Sequence, residues 1–266
     1  MPSIRAPAVA GTFYPSDRDV LREMLAGFLS ASRSEDPAPK ALIAPHAGYI
    51  YSGPVAASAY ARVANGRDAI TRVVLLGPSH RVPLHGLAAS NAQYFSTPLG
   101  AVPIDGEALS RIGHLSQVRT YDQAHKWEHS LEVHLPFLQT VLANFKLVPL
   151  VVGEASAAEV CEVLELLWGG PETLIVISSD LSHYHDYVTA QKLDRDTSKA
   201  ITEFRPQDIH YRQACGRNPI LGLLEAARHR GMRAETVDLR NSGDTAGPRD
   251  QVVGYGAYIF TEGWAS

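Results

Sequence analysis

Leu174-Ile175-Val176-Ile177, followed by Ser178-Ser179-Asp180-Leu181-Ser182-His183-Tyr184-His185, is the stretch whose reading decides the fold. It is an apolar, β-branched-rich run that ends in polar residues and histidine. Two other runs are built the same way. Ala41-Leu42-Ile43-Ala44 leads into Pro45-His46-Ala47-Gly48-Tyr49, and Val73-Val74-Leu75-Leu76 leads into Gly77-Pro78-Ser79-His80. Short runs that are apolar on both faces read as buried central strands of a parallel sheet. In open α/β sheets, ligands bind at the carboxyl ends of such strands. If the three strands are parallel neighbours, their imidazoles arrive at one rim, which becomes a candidate metal centre.

Composition narrows the function classes. At 266 residues the chain lies within the range of one α/β domain and can bury a large core without disulfides. It is 45% hydrophobic and 20% charged, as ordinary globular proteins are. A net charge of −4 gives no long-range attraction to nucleic acid or an anionic membrane. No stretch approaches the roughly 18 apolar residues of a membrane span, and Met1-Pro2-Ser3-Ile4-Arg5-Ala6-Pro7 lacks the apolar core of a secretory signal. Two cysteines, Cys161 and Cys215, make no disulfide framework, so a reducing cytoplasm is the simplest location, with a Cys161–Cys215 bridge as the alternative.

Around the histidine runs the pattern alternates between strand and helix. Ser16 is a candidate cap for a helix over 17–29, and small residues over 55–63 suit a helix packed closely on a sheet. A short strand is expected at 87–90, a turn at 97–100 and a helix over 104–113. Leu131, Leu135, Leu138 and Leu142 recur at helical spacing, predicting a helix over 128–144 that Pro136 kinks. A strand at 147–153, a helix over 155–167, a helix over 188–204, a helix from Asn218-Pro219 to Gly231 and a strand over 251–260 complete the reading. No repeat or linker divides the chain. The expectation is one α/β domain over residues 1–266, with three layers and a largely parallel central sheet.

Histidines 46 and 80 both sit behind a proline and among small residues, a stiff mount for a metal-directed imidazole. A single strand-end histidine is equally well explained by a loop hydrogen bond; the threefold pattern argues for more. Cys215, in Gln-Ala-Cys-Gly-Arg-Asn-Pro, precedes a helix start and has Arg217 close by, which favours thiolate, a metal ligand and nucleophile. The alternative is a small buried hydrophobe, the reading that also suits Cys161 among Val160, Val163, Leu164 and Leu167. Asp180 is a candidate orienting carboxylate for His183, or else the cap of a turn. On a continuous helix His125, His129 and Glu132 would share one face, from which His129 and Glu132 could line the pocket or simply meet solvent. The spacing is not that of the His-Glu-x-x-His zinc proteases.

These segments together resemble the Memo-like family, whose microbial members are called AmmeMemoRadiSam system protein B. The resemblance covers nearly the whole chain. It rests on Ala10-Gly11-Thr12-Phe13-Tyr14-Pro15, the segments around His46 and His80, Glu128-His129-Ser130-Leu131-Glu132-Val133-His134-Leu135-Pro136, Ser178 to His183, and Cys215-Gly216-Arg217-Asn218-Pro219-Ile220. It implies a fold similar to class III extradiol dioxygenases, which hold non-haem Fe(II) between two histidines and a carboxylate. It further implies that His46, His80 and Cys215 surround the metal position, with Asp180 and His183 beside it. Copper or iron binding, redox chemistry and binding of phosphotyrosine peptides are associated with the family. Its name suggests a functional link to an AMMECR-type protein and a radical-SAM enzyme.

Where the dioxygenases use a carboxylate, this chain offers Cys215. A thiolate is softer, suiting Fe(II), Cu(I) or Zn(II), and is itself oxidisable, so catechol ring cleavage does not carry over. The favoured expectation is a metal-dependent redox protein or oxidoreductase. In it His46, His80 and Cys215 bind Fe(II) or Cu, His183 and Asp180 act in acid–base catalysis, and His129, Glu132 and Tyr49 line the substrate pocket. Its substrate would be a small molecule or peptide. The alternatives are a non-enzymatic peptide- or protein-binding module, in which Tyr49, Tyr51 and Arg81 serve recognition, and a zinc-dependent hydrolase whose nucleophile is zinc-bound water.

Overall fold

The structure is a computed structural model that describes residues 2–32 and 35–263. The chain opens with strand β1 (Ile4–Arg5) and helix α1 (Arg18–Ser30). The N-cap is Asp17, not Ser16: its carboxylate accepts from the backbone N–H groups of Asp19 and Val20, and its charge suits the positive end of the helix. Strand β2 (Ala41–Ala44) runs into helix α2 (Tyr49–Val63), which starts earlier than its small-residue stretch suggested. Next come β3 (Arg72–Pro78), β4 (Leu87–Ala89), the hairpin of β5 (Tyr94–Thr97) and β6 (Gly100–Pro103), helix α3 (Gly106–Ile112) and β7 (Val118–Thr120). Helices α4 (Asp122–Lys126) and α5 (Leu135–Val141) precede β8 (Lys146–Val152) and α6 (Ala157–Leu167). The rest is β9 (Thr173–Ser178), β10 (His183–His185), α7 (Tyr187–Thr202), α8 (Arg217–His229), β11 (Arg233–Asn241) and β12 (Val252–Thr261).

The main sheet has the order β10-β12-β2-β9-β3-β8-β4-β7, with β11 also paired to β12. Its centre is parallel: β2, β9, β3 and β8 are hydrogen-bonded neighbours running the same way. Antiparallel pairings, β12 on β2 and β4 on β8, flank it. The three histidine-leading strands are therefore adjacent, in the order β2, β9, β3. Strand periodicity divides the core into two layers. Val73 and Leu75 face a cluster built with α1, α2 and α5, whereas Val74 and Leu76 face one built with α3, α6 and α8. This is the α/β architecture with helices on both faces that the sequence predicts. Cys161 packs in the second cluster, and both cysteines are free, which removes the bridge alternative. No helix among the described residues is long and apolar enough to cross a membrane.

The segment 128–144 is not one kinked helix. A loop follows α4, a single 3-10 turn spans Glu132–His134, and α5 starts at Leu135 with Pro136 in its first turn. Proline is tolerated there because it lacks only an N–H that a helix start would leave unpaired. The leucine spacing that suggested a longer helix reflects burial of Leu131, Leu135, Leu138 and Leu142 in the first core cluster, achieved by two different backbone conformations. Without that helix, His125, His129 and Glu132 share no face.

Candidate metal centre

The site forms where β2, β9 and β3 end. Each strand exits its carboxyl edge into a short turn, so Pro45-His46, Ser178-Ser179-Asp180 and Pro78-Ser79-His80 converge. The loop carrying Cys215 closes over the end of β9. Gly216 permits that approach, since a Cβ there would lie 2.4 Å from the Ser178 carbonyl oxygen and 2.6 Å from the Ser179 Cβ. The loop is held from both sides: the Asp180 N–H lies 3.2 Å from the Cys215 sulfur, and the Cys215 N–H donates to the Asp180 carbonyl.

His46 is buried, and its tautomer follows from a hydrogen-bond relay. The Ser178 hydroxyl donates to the Ser130 carbonyl at 2.6 Å, so its proton is committed. At 2.5 Å from the ring, the same hydroxyl oxygen can only accept, which places the imidazole proton on Nδ1. Burial first, then the neighbouring His80, His129, His134 and His183 rings, hold the His46 pKa well below its usual value. The ring is therefore neutral, and its Nε2 lone pair faces the Cys215 sulfur at 3.4 Å, where it accepts from the thiol.

Glu128 orients His80. Its Oε1 accepts from His80 Nδ1 at 2.9 Å and from the backbone N–H groups of His129 and Ser130, both at 2.9 Å. Its Oε2 accepts from the His80 backbone N–H at 2.6 Å. Burial alone would raise this carboxyl, but the His80 ring and these N–H donors outweigh it and bring the pKa down to about 2. A committed carboxylate can only accept, so Nδ1 of His80 donates and Nε2 is turned away from it. The ring of His129 stacks on that of His80 at 4.8 Å and meets that of His46 edge-on at 5.5 Å. Burial depresses the His129 pKa to about 4, although Glu128 opposes the shift.

The donor atoms of His46, His80 and Cys215 all lie within 4.8 Å of one another. For a tetrahedral ion with a metal–nitrogen bond of about 2.0 Å and a metal–sulfur bond of about 2.3 Å, donors sit roughly 3.6 Å apart. The observed 3.4 Å between Cys215 sulfur and His46 Nε2 fits that spacing. In the absence of a cation, burial and then the Asp180 carboxylate push the Cys215 thiol well above its ordinary pKa. This corrects the expectation of a thiolate set up by the helix start and Arg217. The Arg217 guanidinium instead donates to the Ile209 carbonyl and lies over the Tyr211 ring. A cation held here would compete with the proton for the sulfur lone pair.

The other candidate residues are distributed unevenly. Asp180 is buried beside the cluster, but its carboxylate accepts from the His46 backbone N–H at 2.8 Å and so steadies the histidine turn. His183 approaches from β10, close enough to act on the His46 ring electrostatically. A bulge separates it from His185, with Tyr184 in the left-handed region at φ 59°. His129 is at the cluster. Tyr49 and Glu132 do not line the pocket. The Tyr49 hydroxyl donates to the Val133 carbonyl at 2.7 Å, and its ring packs on Tyr14 and Phe137. Fully buried Glu132 pairs with Arg5 and accepts from the N–H groups of Ala8 (2.7 Å) and Val9 (3.0 Å) and from the Tyr14 hydroxyl (2.6 Å). It fastens the N-terminal segment to the core. His125 is also internal, 2.9 Å from the Ala88 carbonyl. Sequence reasoning missed Glu128 as the partner of His80 and Ser178 as the partner of His46; neither has a spacing that announces it.

Comparison with known proteins covers almost the entire chain. The family described as Memo-like protein matches residues 5–259. A MEMO1 family protein of Aquifex aeolicus is 37% identical over 268 residues, 97% of this chain and 99% of the relative. One from Aeropyrum pernix is 37% identical over 96% of this chain and 98% of its own length. One from Methanopyrus kandleri is 34% identical over 97% and 99%.

Proposed function

The chain belongs to the Memo-like family, and from that premise we propose that it is a metal-binding redox protein, an oxidoreductase in the manner of non-haem dioxygenases. Its metal is Fe(II) or Cu, held by His46, His80 and Cys215. The observation that carries the reading is the pair of independent restraints on the two histidines. The Ser178–Ser130 relay and the Glu128 carboxylate each occupy a ring Nδ1 and leave Nε2 as the free donor, in residues whose ligand atoms lie within 4.8 Å of one another. Hydrogen bonding for its own sake does not require both rings to be poised that way. Two imidazoles and a thiolate suit a soft or borderline ion and leave a coordination position for an exchangeable ligand.

When bound, such an ion supplies one-electron chemistry or polarises a ligand. The chain's residues do the rest. Glu128 and Ser178 fix the ring directions, Asp180 holds the His46 backbone, and Cys215 gives up its proton to become a donor. His183, reaching in from β10, moves a proton to or from the bound molecule, and His129 forms the wall beside His80. A small molecule or peptide is the expected substrate, and a reducing cytoplasm suits the two free thiols. An AMMECR-type protein and a radical-SAM enzyme are the partners in the same proposal.

One observation favours a second reading, a binding module that uses the same pocket. Trp127, Tyr184 and Tyr211, each next to or near site residues, are 60%, 72% and 78% exposed. Aromatic side chains on a rim favour a peptide partner. Metal analysis of protein purified without oxygen, beside His46→Ala/His80→Ala, tests the primary reading: about one equivalent of iron or copper accompanies the native chain and is lost from the double variant. Equal metal in both refutes it. Calorimetry of peptide binding with and without chelator separates the second reading, for which affinity is indifferent to metal.

A further inference from the structure

A second group of metal-ligating side chains lies on the opposite end of α8 from Cys215. Helices α6 and α8 pack side by side, and Gly222 makes the approach close: a Cβ there would fall 2.3 Å from Val160 Cγ1. Each helix carries two donor-type residues one turn apart, Cys161 and Glu165 on α6 and Glu225 and His229 on α8. Residues four apart project from one helix face. Across the interface, Cys161 sulfur lies 4.0 Å from His229 Nδ1, which lies 3.7 Å from Glu165 Oε1. The donor atoms of these three residues are all within 4.8 Å of one another. Burial, then the carboxylates of Glu225 and Glu165, push the Cys161 thiol up to about 11, and Glu225 stands one turn before His229 on the same face of α8.

We propose that Cys161, Glu165 and His229, with Glu225 beside them, form a second metal site that takes a zinc-class divalent cation and clasps α6 to the last turn of α8. Sulfur, imidazole and carboxylate are a donor set suited to Zn(II) or Co(II). The two separations at His229 Nδ1, 4.0 and 3.7 Å, exceed the roughly 3.5 and 3.3 Å of a tetrahedral ion by about half an ångström, a gap that side-chain rotation closes. Binding displaces the Cys161 proton to solvent, and the thiolate with the Glu165 and Glu225 carboxylates then offsets the charges of the cation and of Arg230. Arg230 pairs with Glu165 through both carboxylate oxygens and lies over the Trp168 ring. Each of those oxygens keeps a further lone pair, so the arginine steadies Glu165 without consuming it. The half-exposed His229 side chain gives the ion a path from solvent. The length of α8, about 18 Å at 1.5 Å per residue, separates this site from the His46–His80–Cys215 centre.

Zinc titration of metal-stripped protein against a chromophoric chelator tests the proposal, using native chain, Cys161→Ser, His229→Ala and His46→Ala/His80→Ala/Cys215→Ser. The native chain takes up an equivalent that Cys161→Ser and His229→Ala each lose and the triple variant keeps. Cobalt bound to the triple variant, in which Cys161 is the remaining thiol, gives a thiolate-to-cobalt absorption band. Zinc uptake unchanged by both single substitutions, or no such band, overturns it. His229→Ala alters a half-exposed residue and serves if the Cys161 variant fails to fold. Should the metal reading of the first centre fail, zinc uptake would still depend on Cys161 and His229 alone, so the two failures look different.

Discussion

Glu128 grips His80 at two points, accepting from its ring Nδ1 at 2.9 Å and from its backbone N–H at 2.6 Å. The carboxylate thereby sets both the direction of the imidazole and the path of the loop that carries it. Ring nitrogen and backbone are fixed by one buried group, whose remaining capacity is taken by the N–H groups of His129 and Ser130.

Glu128→Gln preserves the shape but replaces a charged acceptor with an amide that has one accepting atom. Metal affinity should fall by about 10- to 100-fold, as for other orienting partners of metal-bound histidine. Competition titration with a chelator measures this. Unchanged affinity would show that the His80 ring needs no such restraint.

Ser178→Ala removes the acceptor for His46 Nδ1–H and frees the ring to exchange tautomers. Nitrogen-15 NMR of the metal-free protein should report one His46 tautomer, protonated at Nδ1, in the native chain and a mixture in the variant. A mixture already present in the native chain would contradict the relay.

Metal uptake should release protons, because the Cys215 thiol is held protonated by burial and Asp180 until a cation arrives. Cys215→Ser should therefore release about one proton fewer per metal at neutral pH. Calorimetry in buffers of different ionisation enthalpy counts them. Equal release by both proteins would mean that the sulfur is not a ligand.

Acid should unfold the metal-free protein early. His125, His129 and His134 have pKa values lowered by burial to about 4, about 4 and about 3. Their unfolded counterparts take up protons near pH 6.5, so over the interval between, the unfolded chain binds more protons and gains stability relative to the folded one. Melting temperature should thus decline as pH falls from about 6.5 toward 4. Glu128, lowered to about 2, adds a further loss as its pH window, from the ordinary carboxyl value down to that figure, is crossed. A melting temperature flat from neutrality to about pH 4 would be inconsistent with neutral buried histidines.

Glu132→Ala should cost about 3–5 kcal/mol, because it strands the buried Arg5 charge and removes the acceptor for two N–H groups and a hydroxyl. Denaturant unfolding gives the loss. Metal stoichiometry of the protein that remains folded should match the native value, which separates this anchor from the metal centre.

Much of the architecture was legible because it is written in local patterns. The runs at β2, β3 and β9 are short, apolar on both faces and bounded by turn residues, and such segments have few other places to go than the middle of a parallel sheet. The short strand β4 was expected at 87–90, but the pairing of β10 with β12 and the edge strand β7 were not legible, since their few residues carry no period of their own. The failed helix over 128–144 shows the same limit from the other side. Leucines at helical spacing record which residues are buried, while the 3-10 turn and the loop carrying Glu128 and His129 are dictated by what they pack against. Ser130, for one, donates to the Pro78 carbonyl at 2.8 Å and so draws that loop onto the end of β3.

The sequence by itself determined that histidines would stand at the ends of buried strands and that a cysteine would precede a helix, because strand and helix limits are set by neighbours along the chain. Tertiary structure alone decided which of those groups meet, which nitrogen of each ring carries the proton, and that Tyr49 and Glu132 belong to the interior. Those outcomes depend on hydrogen bonds between residues far apart in the chain, such as Ser178 with Ser130 and Arg5 with Glu132. Distance along the chain carries no information about them; only the packing of layers brings such partners within reach.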